Sequence, residues 1–532
     1  MKTFNIYILA MSLLLVGACK KDFLNTEDVT NATEENFYKT PEDGFKALVG
    51  CYDGLQQVYD NGVAFPLASE VMSDNVFGGT GNSDGLGYRM MDEFDKSVSP
   101  VDVNMFSGNW IAYYKALLRC NMLISKLDQV NWGANTTLRN TYEAETRFIR
   151  AYLYFDMVRL WGKVPLLTAP SKENVPQASA DEIYKVIAED LKFAVTNLPA
   201  TSYGAQAPAT YGRVTKWAAA ALTGRVYLFY TGYYAKPDLA GVISKAEALD
   251  YLENVIAAGG FGLVSNFAHL WPASGANYAG EDNKETVFAI KYTFTSDYNG
   301  NTDGNHWLVM NGIRVQSHPP YGMGWGACTV SPKLWDAYSS TDTRKIASII
   351  SIAGESINFT NQKDQREYTG YYTKKYTPLA RDSAGTAISV TDGKGANSFQ
   401  ISQFQDFVAI RYSDVLLMAA ELGSPNAQSY FDQVRQRAYG GDFISIPATQ
   451  ANIMAERRLE FAFEGIRYYD LLRQGISVAA ATIAESTTVK NGGVSTTKTI
   501  SGAKIAETNG FVQIPYDQIN LSHGVLVQNQ GW

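Results

Sequence analysis

One stretch near the C-terminus constrains the chain more than any other: Ala455 to Gly475, AERRLEFAFEGIRYYDLLRQG. Leu459, Ala462, Phe463 and Ile466 recur at i, i+3, i+4 and i+7, which is one apolar stripe of a 3.6-residue period. Glu456, Glu460 and Glu464 run down a neighbouring face, interleaved with Arg457, Arg458 and Arg467. Three spaced carboxylates invite an acid–base reading. Charges at helical spacing mostly pair or solvate, however, so the stretch reads as a packed helix with an ion-paired flank.

A chain of 532 residues exceeds the usual single-domain size, so a second lobe or long insertions are expected. The formal charge of −8 argues against a nucleic-acid backbone as partner. The 33 tyrosines, 25 phenylalanines and 9 tryptophans are more than one core needs and suggest faces that are apolar and hydrogen-bonding at once.

The N-terminus reads as a leader. Lys2 supplies the positive end, Ile6 to Val16 a short apolar run, and Gly17-Ala18-Cys19 a small-residue close. Cysteine directly after Leu15-Val16-Gly17-Ala18 resembles the bacterial lipoprotein box, which implies cleavage before Cys19 and lipidation there. Several acyl chains at about 0.8 kcal/mol per buried methylene anchor a domain stably. No later run approaches the roughly 20 apolar residues of a spanning helix. Cys51, Cys120 and Cys328 remain. Cys51 and Cys120 fall in helical patterns, where a free thiol acts as a small buried hydrophobe, and no disulfide is assigned.

The pattern divides the chain into a leader (1–18), a lipidated tether (19–40), an N-terminal helical scaffold (41–260) with a loop insertion at 61–105, an irregular loop-rich lobe (261–400) and a C-terminal helical region (401–532). Helical periodicity predicts helices over 41–59, 110–127, 138–161, 181–198, 215–230 and 244–258, then again from Arg411. TVFAIKY, Thr286 to Tyr292, reads as a strand. The expected fold is mainly α: a scaffold of degenerate tetratricopeptide-like helix pairs, with a large irregular lobe and a few short strands.

Enzymatic motifs are thin. His269, His306, His318 and His523 form no HExxH and no Cys/His cluster, so neither a metal nor a cofactor is expected. Gly81-Asn82-Ser83-Asp84-Gly85 matches G-x-S-x-G in letters only, since its flanks read as loop. The run Gly322 to Ala327 grazes a dinucleotide fingerprint without a βαβ unit. Asn299, Asn301, Asp303 and Gly304 begin like a calcium loop, but Met310 holds its twelfth position.

Several segments resemble one family, in its order. RYSDVLLMAAEL (411–422), FDQVRQRA (431–438), ERRLEFAFEGIRYYDLLRQG (456–475), IPYDQI (514–519) and the ending VQNQGW look like the C-terminal signature of the SusD/RagB family. FIRAYLYFDMVRLWGKVPL (148–166) resembles its central helix, and NFYKTPEDGFKALVGCYDGL (36–55) its N-terminal segment. The resemblance implies a lipid-anchored protein on the outer face of the outer membrane in Bacteroidota, with four tetratricopeptide-like helix pairs. It further implies a lid over a SusC-type TonB-dependent barrel that binds glycans, or in some members peptides, without turning them over.

Glycan binding needs an aromatic platform for the C–H face of a sugar and polar groups for its hydroxyl rim, since a buried unpaired hydroxyl costs roughly 1–3 kcal/mol. Two loop regions offer both. Ser73–Met91 carries Asp74, Asn75, Phe77, Tyr88 and Arg89. Asp297–Trp325 carries Tyr298, Asn301, Asp303, Trp307, Tyr321 and Trp325. Trp307 and Trp325 are the expected platform, because each follows a polar, glycine-containing run with no apolar period. A peptide cleft and a glycoside hydrolase remain the alternatives.

Overall fold

The computed structural model describes residues 37–60, 63–274, 277–380 and 398–532. The leader, the tether up to residue 36 and Cys19 lie outside the described residues.

Among the described residues, eight helices build the scaffold: α1 (Pro41–Gln57), α2 (Ser107–Lys126), α3 (Thr136–Trp161), α4 (Ala180–Asn197), α5 (Lys216–Tyr233), α6 (Lys245–Ala258), α7 (Tyr412–Glu421) and α8 (Ala427–Tyr439). Each packs on the next, so that four successive pairs share one continuous core. Their starts are encoded locally. Thr40 with Asp43, Ser179 with Glu182 and Ser244 with Glu247 form reciprocal capping boxes. Gly162, at φ 72°, closes α3.

From Phe148 onward every residue of α3 is buried, which marks it as the helix around which the pairs are stacked. Its polar side chains are therefore paired. Asp156 accepts hydrogen bonds from Tyr59 and Tyr113 and pairs with Arg159. Arg150 grips Asp190 of α4 with two parallel bonds of 2.8 Å.

The strands are short. β1 (Val76–Gly78), β5 (Cys328–Val330), β6 (Ile349–Ser351) and β7 (Tyr371–Thr373) make an antiparallel sheet in the order β1-β5-β7-β6. β2 (Thr286–Ile290) pairs with β8 (Phe407–Arg411), β3 (Ile313–Arg314) with β4 (Met323–Gly324), and β9 (Glu485–Asn491) with β10 (Val494–Ile500). β2 is buried along its whole length, between the scaffold and β8. Cys51, Cys120 and Cys328 are buried free thiols.

Two expectations need correction. The segment 63–105 is not plain loop: short helices at Phe65–Val71 and Gly87–Glu93 flank β1, the first started by Pro66. The stretch at 455–475 is not one helix either. α9 (Gln450–Glu460) stops at Glu460, Phe463 and Gly465 take positive φ, and α10 (Arg467–Leu472) starts afresh. Its charged flank is ion-paired, and it is also buried. Glu456, Glu460 and Glu464 are buried, within a network in which five carboxylates (Glu285, Asp342, Glu456, Glu460, Glu464) meet five cations (Arg344, Lys375, Arg411, Arg435, Arg437).

Candidate ligand-binding site

Both loop regions singled out above end at one cavity, because the backbone ties them together. β3 and β4 run parallel, with Arg314 opposite Gly324. The N–H of Trp325 donates to the carbonyl of Val309 at 2.8 Å, and that of Ala327 to Met310 at 2.8 Å. The first loop leaves β1 by donating from Gly79 to Ala327 and from Thr80 to Gly326. Trp325 is thus held against the start of the loop that carries Tyr88.

Glycines permit this approach. A Cβ on Gly324 would sit 2.3 Å from the Cα of Gly312, and one on Gly78 only 2.2 Å from the carbonyl oxygen of Tyr88. Backbone meets backbone at both points, so nothing flexible can yield. Gly324→Ala is expected to destabilise the fold by about 1–3 kcal/mol through overpacking and to displace Trp325 and Arg314 together. A thermal midpoint and ligand affinity both equal to those of the parent would contradict this.

The cavity holds about 510 Å³, within the range of small-molecule sites. Tyr88 and Trp325 supply its aromatic walls and Met105 and Met310 further apolar surface, while Thr80, Asp84, Asp102 and Arg314 supply the polar groups. Trp325 is half-buried, and its indole N–H makes no hydrogen bond among the described residues. Asp84 is fixed from two sides: its Oδ2 accepts the Gly81 N–H at 2.7 Å and pairs with Arg314 Nη1 at 3.0 Å. Asp102 accepts the Ser99 hydroxyl at 2.7 Å. The helix that presents Tyr88 is pinned by Asp92, whose carboxylate accepts the Gly78 N–H at 2.7 Å and pairs with Lys498 of β10. Burial raises Asp92 to about 7 despite Lys498, with Glu367 and Glu93 adding to the rise.

Not all the expected site residues are here. Trp307 is only 1 % exposed, and its ring packs on Tyr376 and Phe407, so it plugs the lobe and offers no platform. Asp74 and Asn75 are buried as well. Burial opposes the charge of Asp74, but Arg467 at 2.7 Å and Arg458 at 2.9 Å hold its carboxyl below the usual range. Asn75 donates to Glu70 and accepts from Arg458. Both residues tie the root of the first loop to the 455–475 stretch, where Glu70 also accepts the Gly465 N–H. Tyr321 is 2 % exposed and donates to Glu355 at 2.6 Å. Tyr298 is 73 % exposed, donates to Gln400 and is not among the lining residues. Arg89 pairs with Glu93 and Glu367 and is not among the lining residues. Of the eight expected residues only Trp325 and Tyr88 line the cavity.

Sequence reading missed Arg314, Thr80, Met105, Met310 and Asp102 as lining groups, and Asp84 drew notice only inside the G-x-S-x-G letters. In the structure Ser83 lies in a turn closed by Asp84, and no histidine hydrogen-bonds to it among the described residues. A second groove of about 590 Å³ lies on the scaffold, but it lacks tryptophan, and its Arg473 and Glu421 pair with each other. No group of three His, Cys, Asp or Glu side chains among the described residues could hold a metal ion.

Comparison with known proteins decides the lineage. The SusD family profile matches residues 360–532, and one described as "starch-binding associating with outer membrane" matches residues 50–228. The chain belongs to the SusD/RagB family. A SusD-like protein of Bacteroides ovatus is 26% identical over 488 residues, covering 88% of this chain and 82% of the relative. Among solved structures, a laminarin-binding SusD-like protein superposes with a TM-score of 0.72 at 26% identity, covering 93% of this chain and 100% of that one. Surface glycan-binding protein A from Bacteroides thetaiotaomicron, solved with laminarihexaose, gives a TM-score of 0.75 at 24% identity, covers 93% of this chain and 100% of its own, and shares the fold. The mainly-α SusD-like architecture expected from sequence is the one observed.

Proposed function

We propose that this SusD-like protein captures oligo- or polysaccharide at the cell surface and delivers it to a SusC-like TonB-dependent outer-membrane transporter. The observation that carries the reading is the cavity itself, where Trp325 and Tyr88 stand beside Asp84, Asp102 and Thr80. Aromatic faces cover the C–H side of a sugar ring, and the carboxylates accept from its hydroxyls. The names of its relatives, laminarin-binding and surface glycan-binding, support the same ligand class.

In this reading the helices over 41–260 and 401–532 are the scaffold, and the lobe at 261–400 supplies one wall of the site. A lipid on Cys19 tethers the protein to the outer membrane. The tether makes each encounter with the transporter effectively intramolecular, which raises local concentration without new ligand contacts. The protein binds without turnover, with no metal or cofactor taking part. Asp84 is committed to Arg314 and a backbone N–H, an arrangement suited to holding a ligand.

Calorimetric titration of the Cys19→Ser chain against a glycan panel tests the proposal. At least one glycan is expected to bind. Trp325→Ala is expected to weaken that binding at least about tenfold, or 1.4 kcal/mol, with an unchanged melting midpoint. Binding of peptides and no glycan would move the site to the peptide class. Release of new reducing ends would make the protein a hydrolase.

A further inference from the structure

The charge pattern of the cavity says more about its ligand than its shape does. Arg314 is the one cation among the described residues that line the cavity, and its guanidinium is engaged on every nitrogen. Nε and Nη2 grip Asp364 at 3.1 and 3.0 Å, and Nη1 reaches Asp84 at 3.0 Å and the Trp325 carbonyl at 3.2 Å. The planar fork that would recognise a ligand carboxylate or sulfate is therefore occupied by the protein's own acids. Nearby Arg366 gives its N–H groups to the carbonyls of Asn82 and Gly85.

The remaining charged groups among the described lining residues are Asp84 and Asp102. Ionised carboxylates accept hydrogen bonds and donate none. Asp84 is 40% exposed at its side chain, with capacity left beyond Gly81 and Arg314, and Asp102 beyond Ser99. Such a rim suits hydroxyl donors. An anionic substituent entering it would lose water, meet two like charges and find no unengaged cation among the described lining residues.

We infer that this site selects neutral, hydroxyl-rich glycans and rejects chains bearing carboxylate or sulfate groups. The inference rests on the glycan-binding reading above.

The test pairs each neutral hexasaccharide that binds with its C6-carboxylated counterpart, which keeps backbone and linkage. Oligogalacturonate and a sulfated galactan are titrated alongside. The acidic form is expected to bind at least about tenfold weaker at about 50 mM salt, with the gap narrowing at about 500 mM as charges are screened. Asp102→Asn is expected to narrow the gap at low salt, and Asp84→Asn provides a second variant should the first not fold. Acidic glycans binding as tightly as neutral ones would overturn the inference and leave the glycan reading standing. So would a gap that neither variant nor salt alters. Failure of every glycan, neutral and acidic, would overturn both.

Discussion

Replacing Glu460 by glutamine is expected to destabilise the fold by about 3–5 kcal/mol while leaving glycan affinity intact. Glu460 is fully buried and takes Arg344, Arg411 and Arg437 at once. Burial opposes its charge, yet these arginines hold its carboxyl far below the usual range. Among the described residues the network is neutral, so removal of one carboxylate leaves an uncompensated cation in a low-dielectric interior. That residual charge, more than the lost bonds, dominates the cost. The entropy of unfolding of a chain this long is about 1 kcal/mol per kelvin, so the melting midpoint falls by a few degrees. The double variant Glu460→Gln with Arg437→Gln restores neutrality and is expected to be more stable than the single one. A single variant that melts like the parent, or a double that melts lower than the sum of both singles, would refute this account. A large loss of affinity with unchanged melting would return the stretch to the functional site.

The stretch at 455–475 therefore acts as a joint. Its glutamates close a buried network, while Arg458 and Arg467 reach back to Asp74 at the root of the loop that carries Tyr88. The helical spacing was visible in the sequence; the break after Glu460 turns on positive φ at Phe463 and Gly465, which periodicity does not register. The capped starts of α4 and α6 were equally legible, since Ser179 with Glu182 and Ser244 with Glu247 lie within four residues. Both loops expected to carry the site do reach the cavity, but the choice of side chains within them is a long-range matter. Trp307 and Trp325 each follow a glycine-containing run with no apolar period, and the ring contacts that bury the first come from the distant Tyr376 and Phe407. Arg314 carries no local signal at all, because its meaning comes from Asp84 and Asp364 arriving from far along the chain.

Stability is expected to peak at mildly acidic pH, near about 5, and to fall on both sides. Two sets of buried acids pull in opposite directions. Glu70 is raised to about 7 by burial, against the pull of Asn75 and the Gly465 N–H, and Asp92 to about 7 in the same way. In the unfolded chain both titrate near about 4. The folded state therefore binds their protons more tightly, and the stability they contribute is present below about pH 4 and lost as pH rises to about 7. Asp414 is the opposite case. Burial opposes its ionisation, but Arg457 and Arg225 bring it down to about 2. Asp74, Glu460 and Asp470 are lowered similarly by their arginines. What these four contribute is present above about pH 4 and is lost as pH falls through their folded values. Each tenfold difference in proton affinity between the folded and unfolded chain is worth about 1.4 kcal/mol at most, and the buried carboxyls of Glu145, Asp156, Glu367 and Asp406, which burial raises as it does those of Glu70 and Asp92, add to the alkaline limb. Melting midpoints across pH 3–9 at fixed salt measure both limbs. Glu70→Gln should flatten the alkaline one, and Asp414→Asn should lower the whole curve except at its acid end. A midpoint that climbs steadily from pH 5 to 8 would mean that Glu70 and Asp92 are ionised without penalty, and that the pinning of the Tyr88 helix rests on a full Asp92–Lys498 ion pair throughout that range.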